Sequence, residues 1–474
     1  MSELSKRIAE LSPEKRALFV QRLSSIISSE EAQNRDEQAT TTGSVPLTQN
    51  ARWFFGLNLP APHHWNLASL STVQQDLDPT LVRQVLQHLL VYHDALRLRF
   101  KSIEHDWLSF IAPPDTVVPF TWIDLSEKNE SEQRHNIEET ATKLQASLNL
   151  EEGPLFKVAL FNLGPQGPNR LLFIVHHLLA DLYSLDILRE DFSNAYQQLS
   201  QGKSIQQPLR TTSFKRWAER LAKYSQSGDL QQELDYWLTL PWAEIAPLPL
   251  DYPAQLHEFP LSSSTRRISI QLSSAETRAL MQKRGVGTNS THNLLLTAVV
   301  MAVGQWLDSD VIGVTIVHHG RDIDCDGIDL SRTVGWFAGA FFLPIRLDKS
   351  RDVHDVLQCV SEQYHSIHHH RHSANILLNI TRDEELRQRI LPCLRNHIHF
   401  NFSPSTSTSL GQWTPSPEFA GPTNSPLNPQ VETERLRFIT EFAGDKLHLT
   451  WIYNEKEFRQ ETINDVARNV YMLA

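Results

Sequence analysis

Two adjacent histidines with an aspartate four residues beyond the second, His176-His177-Leu-Leu-Ala-Asp181, are the residues of this chain best suited to moving a proton. Imidazole is the side chain whose ordinary pKa lies near neutrality, so such a pair in a cavity suits general acid–base work. The apolar run Leu171–Val175 just before it reads as a buried strand. Just after it, Leu185, Leu188, Phe192, Ala195, Tyr196 and Leu199 fall on one face of a helix. The histidines therefore sit where a strand turns into a helix. Neighbours at a strand end point in opposite directions, so one faces a cavity and the other faces packing. Asp181 is placed to pair with a cation or orient an imidazole. Ser184 is placed to cap the helix.

Other titratable clusters point to weaker chemistry. His63-His64 precedes a tryptophan, but no further ligands stand at metal spacing, so no metal is expected there. Asp322-x-Asp-x-Asp-Gly327 imitates the start of a calcium loop. Its twelfth position is Thr333 rather than a bidentate glutamate, and it follows a strand, so calcium is rejected. The run His365-Ser-Ile-His-His-His-Arg-His372 reads as a solvent-facing or helix-lining stretch able to take up adventitious metal.

The chain of 474 residues is long enough for two lobes. Its formal net charge of -11 argues against nucleic acid, and no apolar run approaches the roughly 20 residues that span a bilayer. The start Met1-Ser-Glu-Leu-Ser-Lys-Arg is polar, without a secretory signal. Cys325, Cys359 and Cys393 are scattered and odd in number, as expected of a reducing cytoplasm.

In chain order, residues 3–32 read as one or two amphipathic helices, with Ser12 and Pro13 opening the second, and Asn34–Ser44 as a polar linker. A helix is expected from Asp78 to Leu90, a charged one within Ser126–Leu148, and a turn at Gly164–Pro168. The Pro-rich link 247–253 separates the lobes. A strand at Arg267–Leu272, helices at Ser274–Lys283 and Thr291–Leu307, a Ser/Thr/Pro-rich loop at Ser403–Asn428, final strands over Phe438–Tyr453 and a helix over 456–474 follow. That last helix ends as if cut from a larger chain. The expected division is a leader and linker over 1–45, an N-terminal lobe over 46–225 and a C-terminal lobe over 226–474.

The motif His-His-x-x-x-Asp at this turn resembles the condensation-domain superfamily of nonribosomal peptide synthetases, akin to chloramphenicol acetyltransferase. Further blocks stand in the family's order. Leu47–Phe55 is similar to the first block, closest to the epimerisation version, Tyr92–Phe100 to the second and Thr211–Arg220 to the fourth. Val317-His-His-Gly-Arg-Asp322 and Asp329-Leu-Ser-Arg-Thr-Val-Gly-Trp-Phe337 are similar to epimerisation blocks, and His397–Phe402 to the seventh. Three departures stand out. Val317 replaces a glutamate used as second acid/base, Leu182 replaces the glycine after the motif aspartate, and the glycine-rich sixth block near 365–380 is missing.

The resemblance implies an α/β fold of two chloramphenicol-acetyltransferase-like lobes in a V-shaped pseudo-dimer around a central tunnel. It implies His177 as the catalytic group and His176, Asp181 and Ser184 as support, with Arg97 forming a buried ion pair with Asp181. Leu182, Val317, His319, Trp336 and Asn401 are expected along the tunnel. The implied reaction joins a carrier-bound acyl, polyketide or peptidyl thioester to a carrier-bound aminoacyl acceptor as an amide. Epimerisation of a carrier-bound thioester and a silent scaffold that recruits a partner are the alternatives. No cofactor is expected on the domain itself; substrates ride on phosphopantetheine arms. The expected partners are donor and acceptor carrier proteins and adjacent synthetase domains in the cytoplasm, with no nucleic acid and no membrane.

Overall fold

The computed structural model describes residues 40–104, 106–114, 117–252, 264–282, 290–322, 327–348, 352–402, 413–428 and 435–473. The leader helices expected over 3–32 and most of their linker lie outside these residues, as does Cys325.

The buried run before the histidines forms its strand as expected. Strands β1 (Gly43–Val45), β2 (Asn66–Val73), β3 (Leu98–Ile103), β4 (Asp106–Ile111), β5 (Phe120–Asp124), β6 (Phe156–Asn162) and β7 (Asn169–His176) belong to the N-terminal half. In β7, Leu171–Val175 are all at most 1% exposed, because the strand lies between β2 and β6 and packs against a helix, Phe173 meeting Phe192. Helices α1 (Gln49–Gly56), α2 (Pro79–Tyr92), α3 (Glu130–Gln145) and α4 (Leu182–Ser200) accompany these strands. Asp78 caps α2, with Pro79 at its first position, and Asn129 with Glu132 closes a capping box at α3. Helix α4 buries Leu185, Leu188, Phe192, Ala195 and Tyr196, the stripe read from the sequence.

Helices α5 (Phe214–Tyr224) and α6 (Asp229–Thr239) lead into the C-terminal half. There β8 (Thr265–Gln271), β9 (Val311–His318), β10 (Gly339–Arg346), β11 (Ile398–Asn401), β13 (Leu436–Ala443) and β14 (Lys446–Asn454) form one mixed sheet in the order β10-β9-β11-β13-β14-β8. Helices α7 (Ser274–Gln282), α8 (Thr291–Leu307), α9 (Val353–Ser366), the short α10 (Ser373–Ile376), α11 (Glu384–Leu394) and α12 (Gln460–Leu473) pack around it.

Two segments differ from the sequence reading. Gly43–Val45, placed in the linker, is strand β1, paired with β4 in a small sheet with β3. The stretch read as a loop over Ser403–Asn428 contains β12 (Trp413–Pro415), which adds to the edge of the N-terminal sheet, giving β12-β2-β7-β6-β5. Trp413 is buried against Phe173 and Phe192, so burial of one large ring outweighs the loop-like composition around it. Arg170 and Glu418, both at about a tenth exposure, clamp the same crossover with paired hydrogen bonds of 2.9 Å.

Candidate active site

Both histidines stand at the exit of β7. The backbone N–H of His177 donates to the Trp65 carbonyl at 2.9 Å, which fixes the chain as it leaves the sheet. His176 turns inward and is fully buried. Its Nε2 donates to the Pro62 carbonyl at 2.9 Å, and its Nδ1 accepts from the N–H of Leu178 at 3.2 Å. Both ring nitrogens are thereby used by one neutral tautomer. Burial drives its pKa down to about 3.

His177 turns the other way. It is half-buried and lines a cavity of about 2350 Å³ that draws its walls from both halves of the chain. Its Nδ1 is shut away from solvent and, among the described residues, meets no partner at full hydrogen-bond geometry. The carbonyls of His177 itself and of Ala180 lie close enough to favour a proton on the ring, as does Asp181, but burial outweighs them and lowers the pKa. The neutral ring with its proton on Nδ1, facing those carbonyls, leaves the Nε2 lone pair for the cavity. The Trp336 ring lies 4.3 Å from the imidazole centroid, and Trp65 and Trp53 complete an aromatic cluster beside it.

Asp181 borders the same cavity, but its carboxylate is taken up by hydrogen bonds within the fold. It caps α4 and is buried. Its Oδ1 accepts from the N–H of Ser184 at 2.8 Å and from Arg321 Nη2 at 3.0 Å; its Oδ2 accepts from the N–H groups of Phe337 and Ala338, both at 3.1 Å. Arg321 also donates to the carbonyls of Leu330 and Thr333 at 2.7 and 2.6 Å. Its guanidinium stacks over Tyr183 and Phe337. This ion pair ties the start of α4 to the segment between β9 and β10.

Two expected assignments are corrected here. Arg97 is not the partner of Asp181. It is buried at the end of the turn after α2, donating to the carbonyls of Leu90, at 2.8 Å, and Ala112, with Asp94 as the nearby carboxylate. It braces the local chain, because its guanidinium donates to the two backbone carbonyls of Leu90 and Ala112. Ser184 is not the helix cap, since Asp181 is. The Ser184 Oγ instead lies 2.8 Å from Asp181 Oδ1, from the Gly335 carbonyl and from Arg321 Nη2, inside the same network.

The five residues expected along a tunnel all line the cavity: Leu182, Val317, His319, Trp336 and Asn401. Leu182 stands 70% exposed at the first position of α4, on the cavity lining. Val317 presents an apolar side chain near the end of β9. His319 is half-exposed on the loop that follows.

The sequence reading missed three contributors. Arg321 stood in the quoted block Val317–Asp322, but its partner lies 140 positions away, and no local pattern reveals such a pairing. Asn50 of α1 donates to the carbonyls of Trp336 and Ala338, both at 3.0 Å, and so holds the segment carrying Trp336. Gly320 adopts φ +68°, and a Cβ there would lie 1.9 Å from the Phe337 carbonyl oxygen, so only glycine lets the two loops close. Elsewhere, His63 Nδ1 accepts from the Leu150 N–H and His64 Nε2 donates to the Pro422 carbonyl, which ties both to backbone.

The condensation-domain family model matches residues 41–473. Among curated relatives, the chain is 36% identical over 449 residues to one of the linear gramicidin synthase polypeptides of Brevibacillus parabrevis, covering 92% of this chain and 6% of that one. It is 32% identical over 443 residues to surfactin synthase subunit 2 of Bacillus subtilis, covering 90% of this chain and 12% of that one. It thus spans a small fraction of the length of these relatives. Among solved structures, the epimerisation domain from the third module of tyrocidine synthetase B aligns with a TM-score of 0.78 at 29% identity, covering 92% of this chain and 96% of that one. The first condensation domain of the calcium-dependent antibiotic synthetase aligns at a TM-score of 0.66 and 18% identity, covering 92% and 96%. With its two mixed sheets and its paired histidines at a strand end, the chain belongs to the condensation-domain superfamily of nonribosomal peptide synthetases.

Proposed function

We propose that the chain forms an amide bond between a carrier-bound acyl, polyketide or peptidyl thioester and a carrier-bound aminoacyl acceptor. The observation that carries this reading is the apolar Val317, on the wall drawn from the other half of the cavity that His177 lines, at the position where the epimerisation blocks carry a glutamate. The acceptor nitrogen attacks the thioester carbonyl carbon, a C–N bond forms, and the C–S bond breaks. His177 Nε2 takes the proton from the nitrogen and passes it to the departing thiolate. No serine nucleophile is needed, because the donor arrives activated as a thioester. Phosphopantetheine arms of a donor and an acceptor carrier protein bring the substrates, adjacent synthetase domains supply those carriers, and the reaction takes place in the cytoplasm.

A second reading is epimerisation of a carrier-bound thioester. The alignment with a tyrocidine synthetase epimerisation domain at a TM-score of 0.78 favours it. Removing an α-proton and returning one on the opposite face calls for two groups, and valine moves no proton.

The two readings separate in one experiment. A donor acyl-carrier and an acceptor aminoacyl-carrier are incubated with the chain in deuterated water and followed by intact-protein mass spectrometry. Amide product without deuterium at the α-carbon is the expected result. Deuterium uptake that depends on His177 replaces condensation with epimerisation. Neither product nor exchange, across several donors, leaves a recruiting scaffold.

A further inference from the structure

We propose that His318, Asp322 and His372 form a binding site for a divalent transition-metal ion on the wall of the cavity. One ligand atom from each of the three lies within 4.8 Å of the other two. They come from separate segments: His318 ends β9, Asp322 follows the left-handed turn at Gly320, and His372 immediately precedes α10. The calcium-like stretch and the histidine-rich run thus each contribute one residue to a trio that neither suggests alone. The His318 and His372 rings are 4.8 Å apart, and His372 Nε2 is 3.9 Å from Asp322 Oδ1.

Ligand atoms about 2.1 Å from one ion stand about 3.4 Å apart in a tetrahedral shell, so the trio needs to contract by up to about 1.4 Å to close on it. Two imidazoles and one carboxylate favour zinc, nickel, cobalt or copper over magnesium and calcium, which take all-oxygen shells. Three protein ligands leave a coordination position open. His318 and Asp322 line the cavity, so a bound ion is accessible to a molecule inside it.

Arg371 shapes the site in two opposing ways. It forms an ion pair with Asp322 Oδ2 and is itself buried, which orients the carboxylate with Oδ1 toward His372. Its charge repels an incoming cation, and its Nε contact of 3.4 Å with His372 Nε2 has to give way. Affinity is therefore expected to be lower than for the same three ligands without a guanidinium beside them. The site is independent of which reaction His177 performs.

The test uses the full chain without an affinity tag, stripped with a chelator and titrated with zinc and cobalt by calorimetry. One equivalent should bind. X-ray absorption at the bound zinc should show a shell of two imidazoles with oxygen. His318→Gln, Asp322→Asn and His372→Gln should each weaken binding by about tenfold or more, the least that even outer partners of metal sites cause. His369→Ala and His370→Ala should leave it unchanged. No saturable binding overturns the proposal. So does binding that survives His318→Gln and disappears in His369→Ala, or a shell of three or more imidazoles, since either places the ion on the histidine-rich run. Should a variant fail to fold, the absorption spectrum of the unaltered chain decides alone.

Discussion

At the scale of single residues, the two adjacent imidazoles differ because the pleat turns them to different surroundings. His176 has both nitrogens in hydrogen bonds with backbone and no access to the cavity. His177 keeps one nitrogen toward it. His177→Ala is therefore expected to abolish turnover with little change in thermal midpoint. His176→Ala is expected to destabilise by about 2–4 kcal/mol, since it leaves a void and strands the Pro62 carbonyl and the Leu178 N–H. Thermal melts and a product assay on both variants check this; full activity in His177→Ala would remove it from the chemistry. The opposite facing of the pair was legible in the sequence, because strand alternation is local. The choice of Arg321 over Arg97 was not. An arginine shows its charge in the sequence but not its partner, and both candidates end short turns near buried backbone.

At the scale of elements, the start of α4 is stapled to the segment between β9 and β10. The Asp181–Arg321 pair is buried on both sides, at 3% and 4% side-chain exposure. Asp329 and Thr212 exchange hydrogen bonds of 2.9 Å further along the same seam, and Arg332 reaches Glu190 at 3.0 Å. The seam holds Trp336 over His177, so its geometry sets the imidazole's surroundings. Breaking one partner of a buried pair typically costs about 3–5 kcal/mol, more than the pair contributes against an apolar replacement. Asp181→Asn and Arg321→Gln should each cost about that much, and the double variant less than the sum. Arg97→Gln should combine additively with Asp181→Asn. Denaturant titrations of the cycle measure both; coupling to Arg97 and none to Arg321 would reverse the assignment. Long periodic elements such as α2, α4 and α8 were legible because each repeats its burial signal over several turns. Strand β12 was not, because three residues carry no period and its pairing with β2 joins distant parts of the chain.

At the scale of the molecule, imidazoles are buried in both halves, and this sets the response to acid. Burial pushes His176 to a pKa of about 3 in the N-terminal sheet. It pushes His292, at the start of α8, to about 4, and His397, just before β11, to about 3. Each is a base whose folded pKa lies below its unfolded value of about 6.5. Its neutral form is what the fold accepts, so its contribution is complete above about pH 6.5 and is lost as pH falls toward about 3–4. Near pH 5 the unfolded chain binds close to three more protons at these sites than the native one, a loss of up to roughly 4 kcal/mol per pH unit. Asp94 works against this: burial raises its carboxyl pKa, so the native state takes up that proton more readily as pH falls. Urea midpoints measured from pH 7.5 to 4.5 should therefore drop steeply below about pH 6. His397 is the cleanest probe. Its ring packs where a Cβ on Gly313 would come within 2.4 Å. His397→Gln should lower stability at pH 7 yet flatten the pH slope by about a third, one proton of three. A slope unchanged in that variant would show that other groups govern the acid response.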